Sequence, residues 1–313
     1  MQRTEAQEEV APMRDRRLLT NMAYRLLGSV SEAEDAVQEA YVRWYSIPED
    51  RRGEVRSPTA WLVTALSRIC MDVLGSARRR RVRYIGEWLP EPVSPSAMWT
   101  SLSGDRDTGD PAELVALEES LDVALLVVLE TMTPAERVVF VLHEVFGYRF
   151  ADIGDIVGRS TGACRQLASS ARRRLRQGGR RQVGRGDHAR VVAAFREAWQ
   201  TGDTEELVAV LDPAATAVVD GGGRVSAPHA PVRGAEEVAA VFAAVHRKVP
   251  GLVMETVAVG ARQGLVARDG EGLVVAAIAL ECDGRRVRRL WVMRDPAKLT
   301  TWRRGPGGRR RPG

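Results

Sequence analysis

The sequence holds few cysteines, almost no lysine and no long apolar run. Its three cysteines, Cys70, Cys164 and Cys282, lie far apart in 313 residues, and none belongs to a CxxC pair. That spacing argues against a zinc site and against a disulfide framework, and fits a reducing compartment. No apolar stretch approaches the length of a membrane span; LVVAAIAL at 273–280 is among the longest. The first ten residues, MQRTEAQEEV, are charged and lack a signal-type apolar core. A cytoplasmic protein with no membrane partner is expected, and no metal or cofactor.

Lys248 and Lys298 are the two lysines among 46 basic residues. The distribution of charge says more than the net +5. Residues 1–50 carry 6 basic and 10 acidic groups, 51–85 carry 9 and 2, 86–132 carry 1 and 10, 133–186 carry 11 and 4, and 187–313 carry 19 and 15. Two compact basic blocks are separated by an acidic stretch, which points to two footprints on a polyanion.

Residues 14–46 read as helical. A capping box of Ser31 and Glu34 opens a helix, on which Ala33, Ala36, Val37, Ala40, Tyr41 and Trp44 share one face. The opposite face carries Glu32, Asp35, Gln38, Glu39 and Arg43. After a polar loop, Ser57 caps and Pro58 begins the next helix, which runs toward the arginines 78–81. Residues 86–111 are rich in Pro, Gly, Ser and Asp and read as a linker. A helix is predicted over 112–131. Thr133-Pro134-Ala135-Glu136 opens another, which runs to about Val145. A short helix, FADIGDIVG, ends at Gly158, and Ser160 caps a third, STGACRQLASSARRRLRQ. Thr161, Arg165, Gln166, Ser169, Arg172 and Arg173 face outward on it. Two helices on a tight turn, the second ending in arginines, make a helix-turn-helix.

After the hinge GGRRQVGRGD (178–187) the pattern changes. Helices are predicted over His188–Thr201 and Thr204–Leu211, then the strand ATAVVD and the turn GGGRV. A helix over about Ala235–Arg247 and four strand-like runs follow, which predicts an α+β domain with a curved, largely antiparallel sheet. The stretch from Thr300 reads as a disordered basic tail.

GEWLPEPVSP (86–95) places Trp88 and Leu89 side by side and then stiffens the chain with proline. Such a segment is held extended, so it loses little entropy on docking. Trp88 and Leu89 are an apolar anchor, and Arg224 offers a charge complementary to Glu87 and Glu91.

These motifs resemble the extracytoplasmic-function type of bacterial sigma factors. SEAEDAVQEAYVRWY and SPTAWLVTALSRICMDVLGSARRRR are similar to the family's second conserved region, and TPAERVVFVLHEVFGYRFADIGDIVGRSTGACRQLASSARRRL to its fourth. Residues 188–299 resemble a SnoaL-type, NTF2-like α+β cone. WLPEP (88–92) and DGGGR (220–224) match motifs of the sigma factors that carry this extension. The resemblance implies a multidomain chain with two all-α helical domains, the second a helix-turn-helix, followed by the cone. The implied boundaries are 10–85 for region 2, 86–111 for the linker, 112–178 for region 4, 187–299 for the SnoaL-like domain and 300–313 for the tail.

It also implies partners and sites. Glu34, Asp35, Gln38 and Glu39 are expected to meet core RNA polymerase. Arg56, Trp61, Arg68, Arg78, Arg79, Arg80 and Arg81 are expected at the minus-10 part of promoter DNA, with Trp61 either a core residue or a stacking surface. Thr161, Arg165, Gln166, Ser169, Arg172 and Arg173 are expected at the minus-35 element, through base edges or phosphates. An intramolecular contact is expected between Trp88, Leu89, Pro90, Glu91 and Pro92 and the turn Asp220, Gly221, Gly222, Gly223 and Arg224. Isomerases of this fold need an oxyanion donor, and tyrosine is absent after Tyr148, so a regulatory contact module is favoured over an enzyme or a ligand pocket. The alternative is a one-component helix-turn-helix transcriptional regulator with a small-molecule-sensing domain, which would need neither the acidic 31–45 helix nor the basic 51–85 block.

Overall fold

A computed structural model describes residues 2–81, 87–94, 122–177 and 183–303. The described chain divides into two compact units. One comprises 2–81 and 128–177; the other comprises 87–94, 122–127 and 183–303.

The first unit is helical. Helix α1 (Gln2–Leu27) stops at Gly28, whose φ of 71° closes the last turn. Ser29 is therefore the first residue free to cap α2 (Val30–Tyr45), and its hydroxyl accepts from Glu32 N at 3.4 Å. The cap thus sits two residues before the predicted Ser31. A short α3 (Glu49–Gly53) precedes α4 (Pro58–Arg81). Of the helix predicted over 112–131, the described part is α5 (Val123–Glu130); residues 112–121 lie outside the described residues. The capping box of Thr133 and Glu136 opens α6 (Pro134–Phe140), which loosens into a π-helical turn over Val141–Val145. Helices α7 (Phe150–Val157) and α8 (Thr161–Gln177) form the helix-turn-helix, with Gly158 left-handed at the turn.

Within this unit α4 packs on α6 and α7. Two arginines of this unit are buried, Arg25 at 1% and Arg137 of α6 at 2% exposed. Arg137 makes contacts between helix ends. Its Nε donates to Leu129 O, and Nη1 donates both to Leu26 O and to Glu130 Oε1, each at 2.8 Å. One guanidinium therefore ties the end of α1 to the end of α5. Burial lowers its pKa to about 9.

The second unit is α+β. Helices α9 (Arg185–Thr201) and α10 (Thr204–Val210) lead into β1 (Leu211–Asp220). The chain leaves the helix one residue before the predicted end, because Pro213 cannot continue it and holds Asp212 extended. A two-residue β2 (Val232–Arg233), α11 (Ala235–Lys248), β3 (Val253–Val259), β4 (Arg262–Arg268), β5 (Val274–Asp283) and β6 (Arg286–Met293) follow. The sheet order is β2-β1-β6-β5-β4-β3. The β1–β6 pair is parallel and the other pairings are antiparallel.

Both faces of this sheet are buried. Ile278, Leu280, Leu290 and Val292 face a core with Phe195, Trp199 and Phe242 of the helices. Their strand neighbours Ala277, Ala279, Trp291 and Met293 face a second cluster with Leu89, Val123, Ala124, Leu299 and Trp302. Thr300–Arg303 form a last short helix, α12. The predicted start of a disordered tail at Thr300 is thus corrected: Trp302 is buried in that second cluster.

Candidate functional site

On α2 the side chains of Ala33, Ala36, Val37, Ala40 and Trp44 are buried, and Glu34, Asp35, Gln38 and Glu39 are all exposed. Glu39 pairs with Arg43 at 2.9 Å. The sequence reading missed that Val42 and Tyr45 continue this face outward, 53% and 55% exposed. An acidic row bordered by exposed apolar and aromatic side chains is suited to a protein partner rather than to a nucleic acid.

The DNA candidates fall into four groups. Arg56, before α4, is exposed, as are Arg165, Gln166, Ser169 and Arg173 along α8, and Thr161 is half-buried at its start. Arg78, Arg79, Arg80 and Arg81 are the last residues of α4. Trp61 is half-buried, its ring 5.3 Å from that of Trp44. Two arginines depart from expectation. Arg68 Nε donates to Ile156 O at 3.1 Å and Nη2 to Asp155 O at 3.4 Å, so in this conformation it serves the free carbonyls at the end of α7. Arg172 Nε donates to Glu144 Oε1 at 2.9 Å, so it is held by a carboxylate rather than presented freely.

Residues 87–94 run extended in the second unit, with Leu89 through Ser94 buried. Their backbone is read by specific partners. Leu89 N donates to Asp220 Oδ2 at 2.9 Å, and Leu89 O accepts from Lys298 Nζ at 2.8 Å. Pro92 O accepts from Trp302 Nε1 at 2.6 Å, and Val93 O from Gly260 N at 3.2 Å. Ser94 Oγ donates to Thr301 O at 3.1 Å. The Lys298 ammonium also stands 4.3 Å from the centre of the Trp88 ring and 2.7 Å from Asp220 Oδ2. Prolines suit such a segment because they carry no N–H and so need no acceptor.

Asp220 ends β1 and is fully buried. Its Oδ1 accepts from Gly222 N at 2.9 Å, and its backbone carbonyl accepts from Arg294 N and Asp295 N. Gly222 has φ 65°, and a Cβ there would run into the Asp295 carboxylate. Arg224 does not face Glu87 or Glu91. Its Nη1 donates to Asp295 Oδ1 at 3.0 Å, because Asp295 lies directly beside the glycine turn. Asp295 also accepts from Ala297 N and, through its carbonyl, from Lys298 N. The 220–224 turn and the 294–298 turn thus brace each other and aim Lys298 at the linker. Lys298 and Trp302 were absent from the predicted site. The signal for the first was present, since it is one of two lysines in an arginine-rich chain.

His188 of α9 is buried against β4, its Nε2 2.8 Å from Gln263 O and its Nδ1 without a hydrogen-bond partner among the described residues. Burial, with the nearby Arg262 charge, lowers its pKa against the opposing pull of the Gln263 carbonyl and Asp122. The folded imidazole then refuses a proton that the unfolded one accepts near pH ~6.5. Stability from this group is present above that pH and is lost as the pH falls below it. Urea midpoints should drop between pH 7.5 and 5.5, and the drop should shrink in His188→Gln. An equal drop in both proteins would rule out His188 as the source.

Comparison with known proteins places these surfaces in a family. Models for Sigma-70 region 2, Sigma-70 region 4 and the SnoaL-like domain match residues 13–80, 122–175 and 192–301. The chain is 36% identical over 302 residues to the ECF RNA polymerase sigma factor SigJ of Mycobacterium tuberculosis (strain ATCC 25618 / H37Rv), covering 91% of each. The chain belongs to the ECF RNA polymerase sigma factors. This ECF sigma factor is also 33% identical over 294 residues to the probable ECF RNA polymerase sigma factor SigI of Mycobacterium tuberculosis (strain CDC 1551 / Oshkosh), covering 94% of this chain and 95% of that one. The crystal structure of Mycobacterium tuberculosis SigJ has the same architecture, with a TM-score of 0.70 and 32% identity, over 93% of this chain and 98% of that one. Among the described residues, no helix is long and apolar enough to cross a membrane.

Proposed function

We propose that this sigma factor acts in the cytoplasm, binds core RNA polymerase and promoter DNA to start transcription, and is regulated in cis by its C-terminal domain. Likeness to whole sigma factors supports the first part. For the second, the observation that carries the reading is the buried Asp220 carboxylate, whose oxygens accept from Leu89 N, Gly222 N and Lys298. A carboxylate so occupied is poorly suited to act as a general base, which favours regulation over catalysis.

The test is run-off transcription with purified core polymerase over a pool of promoter fragments. Specific starts are expected. Operator binding without any specific start would instead support a one-component regulator. The α2 face makes a sharper prediction: reversing Glu34, Asp35 and Glu39 together should weaken association with core polymerase at least tenfold, about 1.4 kcal/mol, with helicity unchanged by circular dichroism. Co-purification at the parental level would exclude this face.

The α8 surface is tested by comparing two arginines. Arg165→Ala should alter the preferred bases of the upstream element, by about 1–3 kcal/mol at one position. Arg173→Ala should weaken all sequences alike and lower the salt dependence. Identical selected-sequence profiles for parent and Arg165→Ala would remove Arg165 from base reading.

A further inference from the structure

We propose that Glu144 is a positioning residue for the DNA-reading helix: it neutralises Arg172 and so withholds one cation of α8 from the phosphate backbone. This rests on the reading of α8 as the helix that meets the upstream element. Helix α8 carries Arg165, Arg172, Arg173, Arg174 and Arg176 and no acidic residue of its own. Its counter-charges come from the preceding segment, α6 and the π-helical turn. Arg174 Nε stands 3.5 Å from Glu136 Oε2. Arg172 reaches Glu144 Oε1 with Nε at 2.9 Å and with Nη2 at 2.5 Å. Arg173 and Arg176 are exposed and have no ion pair among the described residues. The run ARRRLR at 171–176 is thus a mixture of balanced and unbalanced arginines.

The two pairs differ in what they do. Glu136 is 5% exposed, closes the Thr133 capping box and accepts from the Ser170 hydroxyl, so the fold needs it where it is. The Arg172 and Glu144 side chains are 42% and 33% exposed. A pair that open to water contributes little to stability. Glu144 rides on the π-helical turn Val141–Val145, an irregularity that helices keep most often at functional sites. His143 Nε2, 4.0 Å from the same oxygen, is a more distant neighbour. The first turns of a recognition helix meet base edges, so Arg172, near the other end of α8, is placed for phosphate. Each phosphate neutralised adds affinity for any sequence and releases counter-ions. An arginine already balanced by a carboxylate releases few. Glu144 therefore makes α8 lean on its base-reading candidates, Arg165 and Gln166, more than a count of its arginines implies.

The experiment measures DNA binding by the full chain with core polymerase over a series of salt concentrations, on a promoter with its upstream element intact and on one with that element scrambled. Glu144→Gln keeps the shape and removes the charge. It should tighten binding to both DNAs by roughly five- to tenfold at ~0.1 M salt and steepen the slope of log affinity against log salt by about 0.9. Glu144→Ala, run beside it, should do the same, so that misfolding of one variant cannot decide the result. Arg172→Ala alone should leave the slope nearly parental, whereas Arg173→Ala should lower it by about 0.9. Glu144→Gln combined with Arg172→Ala should return to the parental slope, which a merely structural role for Glu144 would not produce. A double variant that binds as tightly as Glu144→Gln overturns the proposal, because the carboxylate would then act by repelling phosphate directly. Parental slopes in both Glu144 variants, with Arg173→Ala lowered as expected, overturn it while sparing the DNA-reading role of α8. A parent that does not distinguish the intact from the scrambled element overturns that role and this proposal together.

Discussion

Arg137→Ala should destabilise the helical unit by about 3–5 kcal/mol, because truncation breaks a buried ion pair and leaves two helix-end carbonyls without their donor. The two carbonyls that Arg137 serves, Leu26 O and Leu129 O, lie at the ends of α1 and α5, where helical partners run out. Glu130 would lose the cation 2.8 Å away. In a unit of this size the loss corresponds to a fall of roughly 10 °C in the thermal midpoint. Arg137→Lys should be intermediate, since an ammonium cannot span three acceptors as a guanidinium fork does. Hydrogen exchange should show α1 and α6 loosening together, because the same side chain joins them. A midpoint within about 2 °C of the parent, less than 1 kcal/mol, would mean that Arg137 is merely tolerated in its cavity.

Arg137 also explains where the charge map misleads. Counting basic residues located both blocks that lie in the helical unit, but a count cannot say which guanidiniums are already committed. Arg68 is held by the end of α7 and Arg172 by Glu144, although both fall in stretches that read as DNA-facing. Arginine is suited to such internal duty because it carries five donors and is weakly hydrated. Arg165 and Arg173, exposed on α8 and with no ion pair of this kind among the described residues, fit the helical spacing read from the sequence. Outward spacing on one amphipathic helix is a local property and is legible. The identity of a distant carbonyl or carboxylate is a tertiary property and is not.

The C-terminal domain shows the same division. Its helices and strands were legible from period and turn residues, with β2 and α12 missed because two and four residues are too short to show a period. LVVAAIAL carried an unread signal. A strand from an antiparallel sheet with one face in water should alternate, and this one is apolar throughout. Ile278 and Leu280 face the helices while Ala277 and Ala279 face the second cluster, so both sides had to be covered. Part of that cover is the Trp-Leu-Pro segment, which composition had already marked as too apolar for a plain spacer. Trp302, placed in a stretch dominated by arginine and glycine, was hidden by its neighbours.

Lys298→Ala should release residues 87–94 while leaving the rest of the C-terminal domain folded. The ammonium meets Leu89 O at 2.8 Å, Asp220 Oδ2 at 2.7 Å and the Trp88 ring at 4.3 Å. Removing it strips a fully buried carboxylate of its counter-ion, a loss of about 3–5 kcal/mol. Asp220 would keep Leu89 N and Gly222 N as donors, so the effect should fall on the linker contact first. Amide exchange at Leu89 is expected to rise roughly a hundredfold or more, about 2.7 kcal/mol. Asp220→Asn should behave similarly, since it takes from Lys298 the carboxylate 2.7 Å away. The double variant Asp220→Asn with Lys298→Met should recover part of the loss, because exchanging both charges for neutral groups avoids an orphaned ion. That non-additivity distinguishes a clasp from two unrelated residues. Promoter output should change in the single variants and return toward the parent in the double. Exchange at Leu89 that stays parental in Lys298→Ala would show that the linker is held by Trp302 and the sheet face instead, and loosened exchange with parental transcription would reduce the clasp to a structural fastening.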